Sequence, residues 1–161
     1  YSDDLIKFTQ ELVKTRSYSD EEGDMVEKVI NKMNELGYDE AFVDSTGNVV
    51  GKVGNGEKII MFDSHMDTVK VPNPDEWSYP PFEGKIVDNK LYGRGSVDMK
   101  GGLASSVYAA AIAKECGLLD GKTIYVTGSV CEEFCDGVNI KMFFEEYNLK
   151  PDYVIICELT I

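Results

Sequence analysis

A layered α/β domain, an α/β/α sandwich around a mixed, largely parallel sheet, is the fold class this sequence predicts. Three observations carry it. Apolar positions recur at helical spacing in the first 36 residues, short β-branched and apolar runs follow, and such runs then alternate with further helical segments. With 161 residues, 43% of them hydrophobic, the chain is long enough to bury one core, so one domain is expected.

The elements follow in order. Asp3 or Asp4 can cap a first helix carrying Leu5, Phe8, Leu12 and Val13 on one face. A second helix, about 21–36, has the stripe Met25, Val26, Val29, Ile30, Met33 and Leu36, with Gly37 placed to end it. The period then shortens to strand-like runs at 41–43, 49–53 and 59–62, and Gly54-Asn55-Gly56 predicts a hairpin between the last two. Pro72, Pro74, Pro80, Pro81 and Trp77 place an irregular surface loop at 70–82. A small hairpin follows, 85–87 with 90–92 around Asp88-Asn89. Residues 99–116 form a helix rich in small residues, among them Ala104, Ala110 and Ala111, suited to close packing on a sheet and ended by Gly117. Runs 123–130 and 153–157 are apolar nearly throughout, as in strands buried on both faces of a parallel sheet. Between them Ile140, Phe143, Phe144 and Tyr147 mark a helix capped by Asp136 and stopped before Pro151, which completes a βαβ unit.

Composition excludes several function classes. Sixteen basic against 29 acidic residues leave a net charge of −13, the wrong sign for holding a phosphate backbone, so no nucleic-acid partner is expected. No apolar run approaches the roughly 20 residues that cross a bilayer, and Tyr1-Ser2-Asp3-Asp4 is not a leader, so a cytoplasmic protein without membrane contact is expected. The chain starts without Met and stops just after an apolar run, which reads as a piece of a longer protein. Four cysteines without a CxxC pair do not make a disulfide scaffold. A thiolate zinc site from Cys131, Cys135 and Cys157 has a permissible spacing but no second close pair, and buried small hydrophobes are the better reading.

In an open α/β sheet, ligands gather beyond the carboxyl ends of the strands. The run ending at 62 is followed by Ser64-His65-Met66-Asp67, the run ending at 130 by Glu132-Glu133, and the run ending at 157 by Glu158, while Asp98 precedes the small-residue helix. Taken singly, each has an ordinary structural reading, since acids cap helices and a lone histidine is often only hydrogen-bonded. Together they would repel one another at the bottom of a cleft and stay ionised only beside a cation. His65-x-Asp67 adds a second cue, because the ring nitrogen that does not bind a metal usually donates to a carboxylate. The residue types leave zinc, manganese, cobalt and magnesium open. A magnesium-dependent phosphohydrolase would use similar acids, but no Gly-rich Walker loop supports it.

Four motifs make the pattern recognisable. SHMDTV (64–69), LYGRGSVDMKGG (91–102), CEEFCDG (131–137) and ICELT (156–160) resemble, in that order, the di-zinc metallopeptidase and amidohydrolase family of acetylornithine deacetylase, succinyl-diaminopimelate desuccinylase, aminoacylase and carnosinase-type dipeptidases. Within it they are most similar to hydrolases linked to selenium metabolism. The resemblance implies that 1–161 is the N-terminal segment of a zinc-peptidase-like catalytic domain. A lid or dimerisation domain and the return of the catalytic domain would lie outside this chain, and the full protein would be a homodimer. It further implies two zinc ions, with cobalt or manganese as substitutes: His65 binds one, Asp98 bridges both, Glu133 binds the other and Glu158 completes the first. Asp67 orients His65, Glu132 is the general base, and the Asp98-Met99 peptide is cis. The implied reaction is hydrolysis of an amide bond in a small peptide or N-acyl amino acid, the alternative being a catalytically inactive metal-binding or structural relative. Two departures stand out, Leu159 where many members have proline and Cys131 where the residue is often acidic or small. The family also uses one more histidine for the second metal and another for the oxyanion. This chain contains only His65, so by itself it is expected to be inactive.

Overall fold

The two amphipathic segments at the start fold as helices in the computed structural model, which describes residues 1–158; Leu159 lies outside them. α1 (Ser2–Lys14) buries Phe8, Leu12 and Val13, and α2 (Gly23–Glu35) buries Met25, Val29 and Met33. Asp3 and Asp4 sit in the first turn of α1, and the cap is Tyr1; from there their charges still face the positive end of the helix dipole. Gly37, at φ +75°, makes the left-handed turn that ends α2.

The strands are β1 (Glu40–Val43), β2 (Val49–Gly54), β3 (Lys58–His65), β4 (Lys85–Val87), β5 (Lys90–Tyr92), β6 (Lys122–Ser129) and β7 (Tyr153–Ile156). Five of them form one mixed sheet in the order β1-β2-β6-β3-β7, while β4 and β5 pair as the expected small hairpin. Asp88 and Asn89 both have positive φ there, as a two-residue primed turn requires. In the main sheet β3 runs parallel to β6 and β7, and β2 runs antiparallel to β1 and β6. The hairpin expected between β2 and β3 is therefore absent: β6 lies between them. An eight-residue strand buried over most of its length needs partners on both edges, and that long-range demand overrides a local turn signal. The hairpin is instead β1–β2, closed by Asp44 Oδ1, which accepts the Thr46 and Asn48 N–H groups at 2.9 Å each.

Alternation along β2 shows the layers. Val49 and Val53 join Phe8, Met25, Leu103 and Val126 in the main core, made with α1, α2 and α3 (Lys100–Glu115), whereas Val50 packs with Met61 and Phe143 of α5 (Val138–Glu146) on the other face. Each such fully buried side chain contributes about 1.5–3 kcal/mol. Gly51 lets α2 approach β2, since a Cβ there would lie 2.6 Å from Met33 Sδ and from the Tyr38 ring.

Two more expectations change. Asp136 does not cap the helix before Pro151; it ends a separate single turn, α4 (Glu132–Cys135), and α5 starts after Gly137. Among the described residues β7 is not buried on both faces: Tyr153, Val154, Ile155 and Ile156 are all exposed, with β3 beside the strand and no helix packed broadly over it.

The β1–β2 turn also reaches toward the carboxyl end of β6. Asn48, fully buried, accepts the Val130 N–H at 3.0 Å through Oδ1, while Asn139 Nδ2 donates to the Val130 carbonyl at 2.7 Å. Asn48→Ala strands a buried N–H next to α4 and is expected to cost roughly 1–3 kcal/mol in chemical denaturation.

Candidate metal centre

The parallel strands bring the candidate groups to one end of the sheet. His65 is the last residue of β3, Glu132 and Glu133 open α4 after β6, Glu158 follows β7, and Asp98 sits before α3. The ring of His65 is 2% exposed. Its Nδ1 donates to the Asp67 main-chain carbonyl at 2.9 Å, which turns Nε2 toward Asp98 Oδ1 at 2.9 Å and Glu158 Oε2 at 3.5 Å. Ligating atoms of His65, Asp98 and Glu158 lie within 4.8 Å of one another. The Asp98-Met99 peptide is cis. Gly102 brings α3 up against the segment after β7, since a Cβ there would stand 2.8 Å from the Cys157 carbonyl oxygen; this keeps Asp98 and Glu158 on adjacent ground.

Asp67 is fully buried, and its carboxylate lies 3.5 Å from His65 Nδ1. The same carboxylate accepts the Glu132 N–H at 3.0 Å and the Glu133 N–H at 3.2 Å, fixing the start of α4 against the end of β3. Glu132 then faces a cavity of about 310 Å³ that Asp63, His65, Met99, Ile156 and Glu158 also line. Glu133 is turned aside: its Oε1 accepts the Val69 N–H at 3.2 Å, and it is not part of the three-residue cluster. Nor are the thiols. Cys131 donates to Asp20 Oδ1 at 3.1 Å, and no thiolate group of three gathers among the described residues.

The electrostatics explain what such a cluster requires. Burial disfavours a charged His65, but Asp67 and Asp98 outweigh it and hold the imidazole pKa up at about 9. Burial raises the pKa of Glu132, with neighbouring Glu133 and Asp67 adding to it against the pull of His65. Burial likewise raises Glu158, and Asp98 reinforces the shift. Asp67 goes the other way, because donors from His65, Ser19 and the α4 backbone outweigh its desolvation. The Nε2 lone pair and two carboxylates thus converge where a positive charge is stabilised, whether proton or metal cation. One imidazole with several carboxylates is a donor set suited to a divalent cation, with zinc, manganese, cobalt and magnesium all compatible.

Motif reading did not reach Ser19, Glu22 or Asn48. Ser19 Oγ donates to Asp67 Oδ2 at 2.6 Å and Glu22 Oε1 accepts the Cys131 N–H at 2.8 Å, yet nothing in the spacing of Ser17-Tyr18-Ser19 announces such contacts.

Residues 61–161 match the family described as Peptidase family M20/M25/M40. The chain is 38% identical over 160 residues to the Escherichia coli (strain K12) protein YgeY, covering 99% of this chain and 40% of that one. It is 34% identical over 133 residues to a probable succinyl-diaminopimelate desuccinylase of Staphylococcus epidermidis, covering 81% of this chain and 33% of the relative. Its fold superimposes with a TM-score of 0.85, at 23% identity, on the M20 family metallo-carboxypeptidase Sso-CP2 of Sulfolobus solfataricus, covering 98% of this chain and 38% of that structure. The chain therefore spans about two fifths or less of the length of these relatives.

Proposed function

The chain belongs to peptidase family M20/M25/M40, and on that footing we propose that the full-length protein is a metal-dependent hydrolase cleaving an amide bond in a small peptide or N-acyl amino acid. The observation that carries this is the convergence of His65 Nε2, Asp98 and Glu158 at the carboxyl end of the sheet. These three would hold one divalent cation. Asp98 would bridge to a second, shared with Glu133 once that side chain leaves Val69. A divalent cation held by these residues, zinc or cobalt or manganese in its place, would supply polarisation of a scissile carbonyl and a lowered pKa of its bound water. His65 keeps Nε2 available because Nδ1 is committed to the Asp67 carbonyl. Glu132, with its pKa raised by burial, takes the proton of the attacking water and passes it to the leaving amine. On the same reading the lid or dimerisation domain and the return of the catalytic domain lie outside these 161 residues, and the protein works in the cytoplasm as a homodimer. All four cysteines are free, and no helix among the described residues is long and apolar enough to cross a membrane.

One observation favours the rival, a relative without activity or with a single metal: Glu133 rests on the Val69 N–H rather than on the cluster. Metal analysis and a panel of dipeptides and N-acyl amino acids, run on the full-length protein, separate the two. The expected result is two ions per chain, with hydrolysis lost on chelation and restored by zinc. One ion, or two ions with no hydrolysis of any panel member, would decide for the rival.

A further inference from the structure

The segment between α1 and α2 carries no motif, yet it is bonded to both loops that bear the site. On one side Ser17 Oγ donates to the Met66 carbonyl at 2.7 Å, the Ser17 carbonyl accepts the Thr68 N–H at 2.8 Å, and Tyr18 and Thr68 form an isolated parallel bridge. On the other side Glu22 Oε1 accepts the Cys131 N–H at 2.8 Å, just before α4. Ser19 lies between these anchors, so its hydroxyl is held in place before it meets Asp67 Oδ2 at 2.6 Å. Asp67 is where the two halves of the site join. Oδ1 takes the Glu132 N–H and lies 3.5 Å from His65 Nδ1, while Oδ2 takes the Glu133 N–H and Ser19.

We propose that Ser19 is a positioning residue for the metal centre, acting through Asp67: its hydroxyl fixes the carboxylate that keeps His65 and the Glu132-Glu133 turn in register. The inference rests on the metal-dependent reading above. The terminal torsion of an aspartate is broad and roughly two-fold, so its plane is set by its partners rather than by the side chain itself. Of the donors to Asp67, the two N–H groups move with α4, and His65 moves with β3. Ser19 alone belongs to a third element tied to both, and without it a shift of α4 relative to β3 meets less resistance at the carboxylate.

The test is zinc affinity of the full-length protein, measured by competition with a chelator. Ser19→Ala is expected to weaken binding by about tenfold, the lower end of the loss seen when a ligand's own hydrogen-bond partner is removed, because Ser19 acts one bond further out, with little change in the melting temperature of the metal-free protein. Ser19→Thr, which keeps the hydroxyl, should bind within about threefold of the parent. In an Asp67→Ala background, Ser19→Ala should cost nothing further; if Asp67→Ala does not fold, the Ala and Thr pair decides. Unchanged affinity in Ser19→Ala, failure of Thr to restore it, or an equal loss in the Asp67→Ala background overturns the inference. A parent protein that binds no zinc overturns the functional reading together with this one, whereas a parent that binds zinc and is indifferent to Ser19→Ala overturns this one alone.

Discussion

Glu132→Gln in the full-length protein is expected to lower kcat by at least about 100-fold while leaving metal content unchanged, because it keeps the side chain's shape and removes the proton acceptor. The separation is possible because Glu132 contributes to the site in two ways. Its main-chain N–H is bonded to Asp67 Oδ1, which the substitution preserves, and its carboxylate faces the cavity beside His65 and Glu158 without belonging to the three-ligand cluster. Rate measurements paired with metal analysis on the same preparation check it. If metal leaves and the rate per bound metal is kept, Glu132 is a ligand and Glu133 the better candidate for the base, an exchange the position of Glu133 against Val69 makes worth testing.

Asp98→Asn is expected to abolish stabilisation by zinc and to reduce hydrolysis by more than about 1,000-fold, since on the proposed reading this carboxylate would serve both cations. An ion that binds only the folded form, supplied at 100 times its Kd, adds about 2.7 kcal/mol of stability. Melting curves of the parent with and without zinc should therefore separate, and those of Asp98→Asn should coincide. The geometry gives the reason: Asp98 Oδ1 stands 2.9 Å from His65 Nε2, on the side where Glu158 also points. An amide in place of the carboxylate keeps the volume and loses the charge that balances the cation. Zinc-dependent stabilisation of parental size in the variant would remove Asp98 from the ligand set.

Much of the architecture was legible because it depends on local chemistry. The stripes Phe8-Leu12-Val13 and Met25-Val29-Met33 allow one buried face each, and both helices bury it. Asp88-Asn89 accepts positive φ at two consecutive positions, so the β4–β5 hairpin forms where it was expected. The β2–β3 hairpin failed for the opposite reason. Gly54-Asn55-Gly56 permits a tight turn without requiring one, and pairing on both edges of β6 settled the matter from some 70 positions further along the chain. Burial of β7 is likewise not a local property: an apolar run does not say which strands and helices will cover it, and among the described residues β3 is the strand beside it.

By itself, then, the order of residues determined which groups are present at the carboxyl ends of the strands: one imidazole and five carboxylates after β3, β6 and β7 and before α3. That follows from strand period and residue type, both of which are local. Only the tertiary structure decided how those groups face one another. It committed His65 Nδ1 to a main-chain carbonyl, used the Asp67 carboxylate to hold α4, rested Glu133 on Val69, and brought in Ser19 from a loop without any motif. These are choices among several donors and acceptors that the sequence offers at once. They are settled by whichever partner the packed sheet brings within hydrogen-bond distance, and the packing is set by contacts far apart along the chain.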